Sequence, residues 1–92
     1  LEPYGKGNPE PTFLTKNFEL IDFRQVGVDK NHLKMTLMYE GRVFDAIAFR
    51  QGKRAIEIQN GNLLDLVFKP SINFWNGKET LELIVDDFSG SN

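Results

Sequence analysis

The stretch His32-Leu33-Lys34-Met35-Thr36-Leu37-Met38-Tyr39-Glu40-Gly41-Arg42-Val43-Phe44-Asp45-Ala46-Ile47-Ala48-Phe49 decides the fold. Its first half alternates, with Leu33, Met35, Leu37 and Tyr39 on one face and His32, Lys34, Thr36 and Met38 on the other, which is the period of a strand. Glu40-Gly41 is a turn signal. A two-residue turn there pairs Tyr39 with Arg42, Leu37 with Phe44, Met35 with Ala46 and Leu33 with Ala48. The last three pairs are apolar, with large side chains opposite smaller ones, as a curved, packed face requires. The other face, His32, Lys34, Thr36 and Met38 beside Val43, Asp45, Ile47 and Phe49, is mixed. It suits solvent or a ligand.

Downstream, Asn76-Gly77 is a hairpin signal of the type I′ kind, which needs positive φ at both positions. Pairing Trp75 with Lys78 sets Ile72 opposite Leu81, Pro70 opposite Leu83 and Phe68 opposite Val85, all apolar. Pro70 lacks an N–H and points to an edge or a bulge. Upstream, residues 17–28 also read as β. Ile21 falls out of step with Phe18 and Leu20, which predicts a bulge or bend in a long first strand. Phe18, Leu20, Phe44 and Phe68 are expected in the core. Between the hairpins, residues 53–58 fit a short helical turn or a loop. Residues 1–12 hold three of the four prolines and read as an extended lead-in.

Five strands in about 70 residues is the economy of an all-β, five-stranded OB-fold Greek-key barrel, with a short helix or loop between strands three and four. An SH3-like barrel is the nearest competitor; the long first strand and the insertion after strand three favour OB. The division expected is a lead-in over residues 1–16, a barrel over 17–88 and a flexible tail over 89–92.

With 92 residues, 40% hydrophobic and 26% charged, the chain supports one ordinary globular domain. It lacks cysteine, which excludes disulfides and thiolate metal sites and fits a reducing compartment. No apolar run approaches the ~20 residues of a membrane-spanning helix. A start at Leu1, without Met or a signal-peptide pattern, reads as a piece of a longer protein. The net charge of −2 weighs against strong autonomous nucleic-acid binding.

The run Glu2-Pro3-Tyr4-Gly5-Lys6-Gly7-Asn8-Pro9-Glu10-Pro11, followed by Phe13, resembles the motif that joins the catalytic core to the OB domain in the RecJ family. These are bacterial single-stranded-DNA exonucleases of the DHH phosphoesterase superfamily. His32-Leu33-Lys34, Asp45-Ala46-Ile47-Ala48-Phe49, Trp75-Asn76-Gly77 and Asp86-Asp87-Phe88 match the family in the same order. The family often has Phe where this chain has Tyr4, a change that keeps the ring. The resemblance spans essentially the whole chain. It implies an accessory single-stranded-DNA-binding domain of a cytoplasmic enzyme of DNA repair and recombination. The parent's Mn²⁺ or Mg²⁺ would sit in a separate catalytic domain, and this chain would bind no cofactor and catalyse nothing. The partners implied are single-stranded DNA, the catalytic core of the same polypeptide and a single-strand-binding protein. The alternative is an architectural or protein-interaction module that clamps the core. An independent hydrolase lacks its groups: His32 is the only histidine, and adjacent Asp86 and Asp87 on a strand point to opposite faces.

Candidate binding residues follow from the mixed face. Lys34 suits a phosphate, Phe49 suits a stacked base and His32 lies beside it in this register. The bland alternative packs Phe49 and Ile47 under the lead-in or against the core. Arg50, Lys53 and Arg54 form the densest basic cluster, read first as a solvated loop and second as a phosphate track. Lys6 in its glycine-rich turn and the ring of Tyr4 complete the set. Trp75 reads as a cover over one end of the barrel, with an exposed stacking platform as the alternative.

Overall fold

A computed structural model of the chain describes residues 12–91. Five strands, β1 (Phe13–Val26), β2 (His32–Tyr39), β3 (Arg42–Ala48), β4 (Leu63–Trp75) and β5 (Lys78–Gly90), close a barrel in the order β1-β2-β3-β5-β4. All neighbours are antiparallel except β3 and β5, which pair in parallel through Asp45, Ala46 and Ile47 against Glu82, Leu83 and Ile84. This is the five-stranded OB arrangement. Both hairpin registers agree with the sequence reading pair for pair. Each turn carries positive φ at both central positions: 50° and 79° at Glu40-Gly41, and 50° and 75° at Asn76-Gly77.

Closure depends on how β1 bends. Its register slips between Leu20 and Asp22 against β2, at the out-of-step Ile21, and again between Thr15 and Phe18 against β4, where Asn17 takes φ 68°. Bulges of this kind sharpen the twist and let one strand serve two neighbours around a small barrel. The interior is wholly apolar. Leu20, Leu33, Met35, Leu37, Ala46, Ala48 and Leu66 are fully buried, and no polar or charged side chain is buried among the described residues. Phe18 gathers the rings, 4.8 Å from Tyr39 and edge-on to Phe44 and Phe68 at 6.1 and 5.9 Å. Phe18 and Leu20 are core, but Phe44 and Phe68 are only half-buried, because they line an end of the barrel that the described residues leave open.

A 3-10 helix, Gly52–Glu57, covers the other end. Its closeness to the preceding loop requires glycine: a Cβ on Gly52 would lie 2.2 Å from the Lys30 carbonyl oxygen. Gly52 donates its N–H to the Asn31 carbonyl at 3.0 Å, and Gln25 Nε2 donates to the Gly52 carbonyl at 2.8 Å.

The boundaries differ from the expected division. Strand β1 starts at Phe13, because Phe13, Leu14 and Thr15 already pair with Phe68, Val67 and Leu66. At the far end, Ser89 and Gly90 pair with Asp65 and Leu64, and the Ser91 hydroxyl donates to Asp65. Small, polar composition reads as a loose tail, yet backbone pairing needs no large side chain. The lead-in residues 1–11 and Asn92 lie outside the described residues.

Candidate nucleic-acid interface

The outward face of β2 and β3 is assembled by alternation. With Leu33, Met35, Leu37, Ala46 and Ala48 turned inward, His32, Lys34, Thr36, Asp45 and Ile47 must point out. The bulge at Ile21 adds Asp22 and Arg24 to this face, opposite Thr36 and Lys34. A shallow cleft runs between Asp22, Arg24, Lys34, Thr36 and Asp45. Arg24 was not among the sequence candidates. The signal was present, since a bulge moves every following side chain by one place.

At one end of the face lies its most organised group. The Phe49 ring is 50% exposed and meets His32 edge-on, with ring centroids 5.3 Å apart. His32 Nδ1 accepts the backbone N–H of Arg50 at 2.9 Å. Arg50 itself takes φ 62°. One imidazole therefore fixes both the turn after β3 and the edge of the exposed phenyl ring. Gly27 (φ 91°) leaves room for it, because a Cβ there would sit 2.8 Å from His32 Cδ2. Arg50, next to Phe49 in the chain, and Lys53, in the 3-10 helix that follows, are both exposed.

The remaining candidates are placed differently. Lys34 Nζ lies 3.3 Å from Glu82 Oε2, across the β3–β5 seam, so its charge is partly neutralised. Arg54 is turned away to hold the 3-10 helix on β5. Its guanidinium donates to Asp87 at 2.8 Å, the Phe88 carbonyl at 2.8 Å, Gln51 at 2.9 Å and Glu57 at 3.1 Å, and stacks 3.9 Å above the Phe88 ring. Five donors in a rigid fork suit this clamp better than a lysine would. The hydrogen bond from Arg54, then that from the Phe88 N–H, holds the Asp87 carboxyl below its ordinary range. Lys6 and Tyr4 lie outside the described residues. Trp75 covers nothing: it is 76% exposed at the tip of the β4–β5 hairpin. Among the described residues that hairpin outruns both neighbours, since the pairing of β4 with β1 reaches only Phe68 and that of β5 with β3 only Glu82.

Charge across the face is graded. Asp22, Asp45 and Glu82 share the middle with Arg24 and Lys34, whereas the His32–Phe49 end carries Arg50, with Lys53 three residues further along the chain. A half-exposed aromatic ring and nearby cations are the two kinds of group that can meet a single strand, by stacking and by charge. Among the described residues no group of three or more His, Asp or Glu side chains could hold a metal ion, and no helix is long and apolar enough to cross a membrane.

Strand order and the parallel closing pair define an OB-fold domain. Rim1, the mitochondrial single-stranded DNA binding protein of Saccharomyces cerevisiae, has the same fold, with a TM-score of 0.68 at 12% identity over 89% of this chain and 96% of Rim1. More specifically, the chain belongs to the RecJ OB domain family, whose model matches residues 1–87. It is 36% identical over 87 residues to the single-stranded-DNA-specific exonuclease RecJ of Bacillus subtilis, and 39% over 85 residues to that of Haemophilus influenzae. These alignments take in 95% and 90% of this chain but only 11% and 15% of those proteins. RecJ of Thermus thermophilus, solved in complex with Mn²⁺, superposes with a TM-score of 0.64 at 30% identity, over 99% of this chain and 12% of that one.

Proposed function

We propose that this barrel is the accessory strand-holding domain of a RecJ-type single-stranded-DNA exonuclease, gripping DNA at the His32–Phe49 end of its outward face and doing no chemistry. The half-exposed Phe49 ring, braced by His32, carries the reading. A base stacks on Phe49, Arg50 and Lys53 meet the phosphates on either side, and the strand continues past Lys34 and Arg24. The acids in the middle of the face keep affinity low, and the cation–phosphate contacts make it salt-sensitive. The parent's Mn²⁺ or Mg²⁺ and its hydrolysis belong to the much longer remainder of the polypeptide.

Titration of the ¹⁵N-labelled chain with a short oligothymidylate at low salt tests this. Shifts should centre on residues 32–34 and 47–53. Phe49→Ala should remove one stacking contact, worth ~1–3 kcal/mol, or roughly 5- to 150-fold in Kd. Shifts confined elsewhere, or unchanged affinity in Phe49→Ala, refute the placement. A second reading, an architectural module, has its own observation in the Lys34–Glu82 pair and the acidic middle of the face, which disfavour a polyanion. No binding at low salt would select it.

A further inference from the structure

Lys34 reaches its acidic partner by crossing a whole strand. On the outward face it stands on β2 between its register partners, Arg24 of β1 and Ile47 of β3. Glu82 stands on β5, opposite Asp45 of β3. Adjacent strands are ~4.8 Å apart, so the lysine arm spans ~10 Å over β3. Its Nζ ends 3.3 Å from one Glu82 carboxylate oxygen, with the two side chains 37% and 23% exposed. Water and salt compete for a pair this open.

The arm also divides the face. On one side lies a cleft of ≈ 130 Å³ that Asp22, Arg24 and Thr36 help to line. On the other lies a cleft of ≈ 240 Å³ bordered by Asn73, Thr80 and Glu82. Lys34 and Asp45 line both.

We propose that the Lys34–Glu82 pair is a latch: Glu82 fills the anion position at Lys34 in the free domain, and a DNA phosphate displaces it. The proposal rests on the strand-holding reading of this face, and it names the residue that holds the site in check. Once displaced, the Lys34 ammonium swings back towards β1 and shares the phosphate with Arg24, its register partner there. Two cations on one phosphate, with counterions released from the DNA, outweigh a single carboxylate contact. Withdrawal of the arm joins the two clefts into one trough across the face. Glu82 is not left stranded, because it stays partly in water and faces Ser71 directly across β4. A resident anion weakens every binding event by the same factor, which suits a holder that must also let go.

Fluorescence anisotropy of a labelled oligothymidylate at low salt, with the whole 92-residue chain, tests the latch as a double-mutant cycle. Glu82→Gln should tighten binding ~2- to 5-fold. In a Lys34→Gln background the same change should gain almost nothing. Glu79→Gln is the net-charge control: three residues away on β5, Glu79 points to the opposite side of the hairpin. Equal tightening by Glu79→Gln, equal tightening by Glu82→Gln with and without Lys34, or no tightening at all overturns the latch. By NMR, a contact between the Lys34 Hε and Glu82 Hγ protons should be present in the free chain and lost at saturation with the oligonucleotide; a contact that persists also overturns it. Phe49→Ala, titrated alongside, reports on strand holding itself. Weaker binding in that variant with no gain from Glu82→Gln removes the latch alone, and no binding by any variant removes both.

Discussion

Replacing Gly52 with alanine sets two effects of opposite sign against each other. Gly52 has no positive φ, so alanine fits its backbone conformation and would by itself stabilise the 3-10 helix by ~0.5–1 kcal/mol. The added Cβ, however, falls 2.2 Å from the Lys30 carbonyl oxygen and 2.9 Å from the Asn31 carbonyl carbon. Both neighbours are backbone atoms, and the normal separation is about 3.5 Å, so helix and loop must part by an ångström or more. That movement breaks the 3.0 Å bond from the Gly52 N–H to Asn31 and the 2.8 Å bond from Gln25 to the Gly52 carbonyl. Each such bond contributes ~0.5–1.5 kcal/mol. Separation also loosens Ile58, which the helix leads into the core. With Ile58 loosened as well, the balance is a net loss of ~1–3 kcal/mol, or roughly 5–20 °C in Tm for a domain of this size. Gly61→Ala is the control, because its φ of 93° imposes strain while its Cβ meets nothing within 4 Å; it should cost ~1–2 kcal/mol. Urea denaturation followed by far-UV circular dichroism measures both. A Gly52→Ala variant within ~0.5 kcal/mol of the parent would refute the close approach on which this reasoning depends.

Gly27→Ala should crowd His32, tilt it off Phe49 and weaken oligonucleotide binding about as much as His32→Ala does; matched titrations with normal affinity in either variant would separate the imidazole from the site. Asp87 has a lowered pKa, so its ion pair with Arg54 contributes fully above the ordinary carboxylate value of 3.8 and is lost as pH falls through the folded value. Asp87→Asn should therefore shift the urea midpoint at pH 7 but not at a pH below both values, and by less than ~1 kcal/mol, because the carboxylate is 69% exposed. Trp75 is already in water, so its emission maximum should barely move on unfolding, and Trp75→Ser should leave Tm unchanged; a marked red shift on unfolding would mean that the ring is covered in solution.

Periodicity and turn chemistry made the barrel legible. Alternation of apolar side chains allows one register in each hairpin, and a slip by one residue would expose the whole core, so Leu37↔Phe44 and Ile72↔Leu81 could be paired on paper. Ile21 announced its bulge for the same reason. Side-chain partners across strands that are distant in sequence were not legible. Lys34 and Arg54 are both cations in the sequence, but Glu82 and Asp87 reach them only because β5 closes beside β3 and under the 3-10 helix. Trp75 was misplaced because its exposure depends on how far β4 and β5 outrun their neighbours, a length that no local pattern encodes.

The sequence by itself determined the strands, their turns and the inward set of side chains, since these rest on steric and hydrophobic rules acting over two to ten residues. Tertiary closure alone decided that Lys34 is paired with Glu82 and that Arg54 is turned to Asp87 and the 3-10 helix. Those outcomes depend on distances between residues up to 48 positions apart along the chain, and such distances exist only once the barrel has shut.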